Sequence, residues 1–259
     1  MNRLPTFSSA KLALEQMLSE DDFETQGNRE SSLRQDGLIY RTLSPAHYVP
    51  KHAYPLIIWL HSEADNERQL INIMRHVSDQ NYVAIAPRGP LTEACGYTYT
   101  WSQAETAVYA ARQYVHDCVR IAREKFNVNR EHMFLAGLHS GGTMALRIAL
   151  AEPELFAGAV SIGGKFPLGC QSLLRYKAAQ DLPLLMMRGL EAEHYTEADV
   201  CEELRLVHAA HLQAHFRHYN CGDELRVPML QDLNRWCMER VTGMQLLDIE
   251  ETNSFSSGS

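Results

Sequence analysis

Long apolar runs are the first thing this 259-residue sequence lacks. None approaches the ~18 residues needed to span a bilayer, and the N-terminal stretch MNRLPTFSSAKLALEQMLSEDDFETQ has no apolar core like that of a secretion signal. A soluble protein without membrane insertion is expected. Positive charge is also scarce, with 24 Lys and Arg against 32 Asp and Glu and a formal net charge of -8. Nucleic acid needs a basic stripe to neutralise its phosphates, so it is not an expected partner, and an anionic membrane surface is disfavoured too. The six cysteines, Cys95, Cys118, Cys170, Cys201, Cys221 and Cys237, lack the close pairs of a zinc site and the density of a disulfide scaffold. They are expected to be reduced thiols in a cytoplasmic protein with no metal and no cofactor. No internal repeat is visible.

What is present is the pattern of one large α/β domain: 45% of residues are hydrophobic and 22% charged. Residues 1–36 read as an N-terminal extension with one amphipathic segment at 10–19, followed by an acidic and polar stretch. Residues 37–240 carry short apolar runs alternating with amphipathic ones, the signature of a mostly parallel sheet with helices on both faces. Strands are expected at 56–61, 82–86, 132–136, 157–162 and 184–188, with a sixth at 215–219. Helices are expected at 66–78, 105–126, 141–151, 197–210 and 228–239. Residues 241–259 end NSFSSGS and are expected to be a disordered tail.

The most informative segment is FLAGLHSGG, residues 134–142, which has the framework of a Gly-x-Ser-x-Gly nucleophile elbow with histidine at its centre. Gly137 and Gly141 bracket His139. Shifting the frame by one would present Ser140 instead, but would put Leu138 where a close backbone approach favours glycine. His139 is therefore the expected projecting side chain, with the Ser140 frame as the alternative.

From residues 38 to 239 the chain resembles the α/β-hydrolases, and within them the carboxylesterase, phospholipase and acyl-protein thioesterase branch. The likeness rests on LIIWLHSEADNERQL, on APRGP with the later Trp101, on FLAGLHSGGTMALRIALAEPELFAGAVSIGG, and on NCGDELRVPMLQDLNRWCME. The resemblance implies the fold, and an acyl-transfer site of nucleophile, histidine, acid and oxyanion donors. This chain departs from that site at each position. His139 replaces the serine, Ala192 occupies the acid's place between Glu191 and Glu193, and Asp223 stands where the histidine belongs. The oxyanion loop reads His61-Ser62-Glu63-Ala64, with Glu63 bringing negative charge close to where an oxyanion would develop. A degenerate relative that binds a small-molecule or protein ligand in the former crevice is expected. A hydrolase of carboxylic ester or thioester bonds with a rearranged site, built from His139, Asp223 and either Ser62 or Ser140, is the alternative.

Further expectations follow. The His139 imidazole and the Asp223 carboxylate should lie within hydrogen-bond reach, as a structural pair or as part of a rewired triad with Ser62. Ligand contacts are expected from His61, Ser62, Arg88, Trp101, His139, Ser140 and Asp223, although His61 and Arg88 also fit a scaffold role. Tyr97, Tyr99 and Trp101 either line a pocket or cover the edge of the sheet. His208, His211, His215 and His218 have helical spacing, but they straddle a helix and a strand, so a solvated helix end is favoured over a metal site. Cys95 and Cys221 occupy no turn that would expose a nucleophile.

Overall fold

The computed structural model describes residues 32–35, 37–92, 98–167 and 176–244. The amphipathic segment expected at 10–19, Cys95, Tyr97, Cys170 and most of the polar tail lie outside the described residues. A sheet of eight strands forms the centre: β1 (Leu33–Gln35), β2 (Leu38–Leu43), β3 (Tyr54–Leu60), β4 (Val83–Pro87), β7 (Val128–Leu138), β8 (Gly158–Ile162), β9 (Leu184–Gly189) and β10 (Ala214–Tyr219). Two short strands, β5 (Leu91–Thr92) and β6 (Thr98–Tyr99), pair separately. In space the order is β1-β2-β4-β3-β7-β8-β9-β10, parallel from β4 to β10, with β1 and β2 added antiparallel at one edge.

Among the described residues six helices accompany the strands: α1 (Gln69–Val77), α2 (Glu105–Lys125), α3 (Ser140–Ala151), α4 (Tyr176–Ala179), α5 (Glu197–Ala209) and, after the last strand, α6 (Val227–Thr242). Alternation along β3 shows why both sheet faces are covered. Leu56, Ile58 and Leu60 pack on one side with residues of α2, α3 and α5, while Ile57 and Trp59 pack on the other with residues of α1 and α6. Every residue of β3 and β8 is buried, and each such Leu or Ile contributes roughly 1.5–3 kcal/mol of transfer free energy. Among the described residues, no helix is long and apolar enough to cross a membrane.

The parallel strands and five of the helices fall within a few residues of their expected positions, with informative exceptions. β1 lies inside the stretch read as an extension, and β2 was not among the expected strands. Both are antiparallel edge strands, and the half-buried β2 alternates weakly in LIYRTL instead of running continuously apolar. β7 begins four residues early, in the polar VNRE, because Val128 pairs with Tyr54 at the foot of β3. Helix α6 runs to Thr242, with Pro228 in its first turn and Gly243 in the left-handed conformation closing it.

Candidate functional site at the strand-to-helix elbow

Between the end of β7 and the start of α3 stands His139, with φ 50° and ψ -116°. A non-glycine residue is strained there, and the surroundings hold it in place. The His139 amide donates to the Ile162 carbonyl at 2.8 Å, and its carbonyl accepts from Thr143 N at 3.0 Å. The strand and helix close on each other so tightly that a Cβ on Gly137 would stand 2.4 Å from the Gly141 carbonyl carbon. His139 therefore holds the projecting position. Ser140 opens the helix, with its hydroxyl 3.5 Å from the Thr100 hydroxyl and its carbonyl accepting from Gln103 Nε2 at 3.2 Å.

The partners of His139 differ from those expected. Nε2 lies 2.9 Å from the backbone carbonyl of Asp223, and because a carbonyl only accepts, Nε2 carries the proton and donates. Nδ1 faces Glu63 Oε2 at 3.7 Å. The pairing of the imidazole with the Asp223 carboxylate is thus corrected: the two residues meet, but through the main chain. The Asp223 carboxylate turns instead to the loop after β9, where it accepts from Glu193 N at 3.0 Å, His194 N at 3.4 Å and His194 Nδ1 at 3.0 Å. A carboxylate has several acceptor sites, and that loop offers three donors where His139 offers one. Burial works to raise the Asp223 carboxyl, but the hydrogen bonds from His194 and the Glu193 amide outweigh it and hold the group below the ordinary carboxylate range.

Glu63 is the residue whose role the sequence did not disclose. Its Oε1 accepts from the Ser140 amide at 2.8 Å, while Oε2 faces His139, so one carboxylate caps the start of α3 and flanks the imidazole. Position 63 in the loop after β3 was a usable signal. From the sequence alone it signals only a charge unfavourable to an oxyanion.

The other candidates are held elsewhere. Ser62 Oγ accepts from Gln69 Nε2 at 3.0 Å; the same amide donates to Asp65 at 2.8 Å, and its oxygen accepts from Trp59 Nε1 at 2.7 Å. The buried Gln69 thereby fixes the loop and turns Ser62 toward α1. His61 donates from Nδ1 to the Ser62 carbonyl at 2.7 Å and accepts at Nε2 from the Gly89 amide at 2.9 Å, which requires the neutral ring. Burial lowers its pKa, opposed by the Ser62 carbonyl and nearby carboxylates. Trp101 is buried with its ring 5.3 Å from that of His61. Arg88 forks onto Glu67 at 2.5 and 2.6 Å and lies over Tyr99, so Tyr99 covers an ion pair. Sequence reasoning missed Glu67, although it follows β3 as Arg88 follows the neighbouring β4.

Ala192 is buried and presents only a methyl group, while Glu191 and Glu193 face solvent. Burial raises the Cys221 thiol above its ordinary pKa. Within the described residues, the partners of His61 and His139 include no serine, threonine or cysteine side chain. Nor do three metal-ligating side chains converge. His208 ends α5, His211 sits at φ 54° in the following turn, and His215 and His218 point to opposite faces of β10.

Beneath the loop after β9, the buried Glu203 of α5 accepts from the Phe166 amide at 2.7 Å and from the Tyr195 hydroxyl. Burial pushes its carboxyl up to about 7, against the hydrogen bonds of Tyr195 and Phe166. A carboxyl raised on folding contributes stability that is fully present below its unfolded value near 4.5 and is lost as pH rises through about 7. Glu203→Gln is therefore expected to raise the melting temperature at pH 8.5 and to bring no gain at pH 4.5. The difference is on the order of 3 kcal/mol. Equal shifts at both pH values in thermal melts would contradict this account.

No protein-family model matches the chain. A curated protein of Nocardia uniformis subsp. tsuyamanensis, "Putative esterase NocK", is 30% identical over 134 residues, covering 48% of this chain and 37% of that protein. The chain thus spans little more than a third of that relative's length. Among solved structures, Arabidopsis thaliana SOBER1 superposes with a TM-score of 0.63 at 20% identity, covering 73% of this chain and 100% of that one. The carboxylesterase of Mesorhizobium loti gives 0.65 at 16% identity, covering 80% and 98%. Zea mays acyl-protein thioesterase 2 gives 0.62 at 16%, covering 78% and 98%. The parallel sheet covered on both faces, the strained elbow between β7 and α3, and these superpositions together make this chain an α/β-hydrolase-fold protein.

Proposed function

We propose that this protein works without serine-hydrolase catalysis and that its elbow crevice binds a small-molecule or protein ligand. The observation that carries the reading is the Glu63 carboxylate on the Ser140 amide at 2.8 Å. In an active elbow, the amide that follows the nucleophile stabilises the oxyanion of the tetrahedral intermediate. A carboxylate seated on that donor repels such charge at close range. The elbow side chain, an imidazole donating to a main-chain carbonyl, supplies no serine for attack. A reducing, cytoplasmic setting belongs to the same reading and fits the free thiols of Cys118, Cys201, Cys221 and Cys237.

The names of NocK and of the superposed carboxylesterase and thioesterase favour a second reading, a hydrolase of ester or thioester bonds with a rearranged site. It would need Ser62 or Ser140 beside His139, with Asp223 as the orienting acid. The bonds of Ser62 to Gln69 and of the Asp223 carboxylate to His194 weigh against it. Treatment with a fluorophosphonate probe and with short-chain aryl esters separates the two. Neither labelling nor turnover is expected, and His139→Ser alone should restore neither. Stoichiometric labelling of one serine, with turnover lost on its replacement, would overturn the non-catalytic reading.

A further inference from the structure

At the opposite end of the sheet from the elbow lies a wide, open surface depression with a volume of about 400 Å³. Helix α2 supplies most of its wall, because His116, Val119, Arg120 and Arg123 follow one another at i, i+3, i+4 and i+7 and so share one stripe. Arg130, at the start of β7, and Leu155, in the 3-10 turn before β8, complete it. The elbow stands at the other end of β7, so this depression and the crevice are separate places.

Its chemistry is divided. Val119 is buried and Leu155 half-buried, which makes an apolar floor. Three arginines stand around it against one glutamate, Glu124, in a chain whose overall charge is -8. Arg120 is committed to Asp117 at 3.1 Å and Glu124 at 3.3 Å, and His116 to Glu152 at 2.9 Å. Arg123 and Arg130 are exposed and pair with no carboxylate among the described residues. Elsewhere in the fold, Arg88, Arg112, Arg147, Arg217 and Arg226 each have an acidic partner. Two unclaimed guanidinium groups therefore flank a concavity with an apolar base. A guanidinium is a planar fork of donors matched to phosphate or carboxylate oxygens.

We propose that this depression binds an amphiphilic anion, with an oxyanion head on Arg123 and Arg130 and a short apolar tail over Val119 and Leu155. This site does not depend on what the elbow crevice does. Isothermal titration of the full chain with hexyl phosphate, hexanoate, inorganic phosphate and hexanol tests it, and the two amphiphiles separate a phosphate head from a carboxylate head. Saturable binding of hexyl phosphate or hexanoate is expected, tighter than that of inorganic phosphate, with none by hexanol, and weakening as salt is raised. The double variant Arg123→Ala/Arg130→Ala should lose about tenfold or more in affinity. Its melting temperature should be unchanged, because both side chains are exposed and unpaired. Absence of saturation by either amphiphile, inorganic phosphate binding as tightly as hexyl phosphate, or undiminished affinity in the double variant would each overturn the proposal.

Discussion

Replacing Arg88 with methionine is expected to destabilise the fold by about 3–5 kcal/mol, because it strands the Glu67 carboxylate in the interior. Glu67 is fully buried, while Arg88 reaches it from a partly exposed position and binds it with two prongs. Ser32 adds a third donor. In thermal melts at neutral pH, a loss of this size in a domain of roughly 200 residues lowers the midpoint by roughly 10 °C or more. The pH dependence gives an internal check. Burial acts to raise the Glu67 carboxyl, but hydrogen bonds from Arg88 and Ser32 outweigh it and leave the group below its ordinary value of 4.5. A carboxyl depressed on folding contributes stability that is present above its unfolded pKa and is lost as pH falls through the folded one. The deficit of Arg88→Met should therefore be largest at neutral pH and shrink on acidification, first as the stranded carboxyl, raised by burial, takes up a proton above 4.5, and further as the parent loses its own contribution below that value. The double variant Glu67→Met/Arg88→Met should recover most of the loss, since it buries no unpaired charge. A single variant as stable as the parent at pH 7 would mean that the pair is not desolvated.

The second large effect is expected at Gly141. In most helices, changing glycine to alanine helps by up to about 1 kcal/mol. In α3 the sign should reverse. A Cβ on Gly141 would stand 2.3 Å from the Leu60 carbonyl oxygen and 2.4 Å from that of His61. Both obstacles are main chain at the end of the central strand, so neither can rotate away. Gly141→Ala is expected to destabilise by more than about 3 kcal/mol, measured by urea titration followed by circular dichroism. Stability within about 1 kcal/mol of the parent would show that the elbow can open without disturbing β3.

Much of this was legible in the chain because strands buried on both faces must be apolar throughout. LIIWLH, AGAVSI and LLMMR could scarcely be anything else once helical segments were seen between them. The antiparallel edge was harder to read, since β2 satisfies only one face and β1 is three residues long. At the elbow, the bracketing by Gly137 and Gly141 identified His139, because that constraint is steric and local. Partner atoms were not legible. Position 223 was correctly brought beside His139, yet whether it offers its carboxylate or its carbonyl depends on donors from another loop, at Glu193 and His194. The same holds for Ser62, whose hydroxyl was open to several roles until Gln69, seven residues on, turned it toward α1. Position in a fold can be inferred from pattern, whereas hydrogen-bond choice is settled by competition among neighbours distant in sequence.

Strand β10, the last in the sheet order, bears on how the molecule behaves at high concentration. An outermost strand carries a row of main-chain donors and acceptors that another chain could extend. Here its six residues, AHFRHY, include two histidines and an arginine, and Arg217 is held by Asp232 of α6 at 2.9 Å. Bulky polar side chains at such an edge discourage a second molecule from adding a strand. Among the described residues, the polar make-up of β10 is thus one that disfavours strand addition at this edge of the sheet.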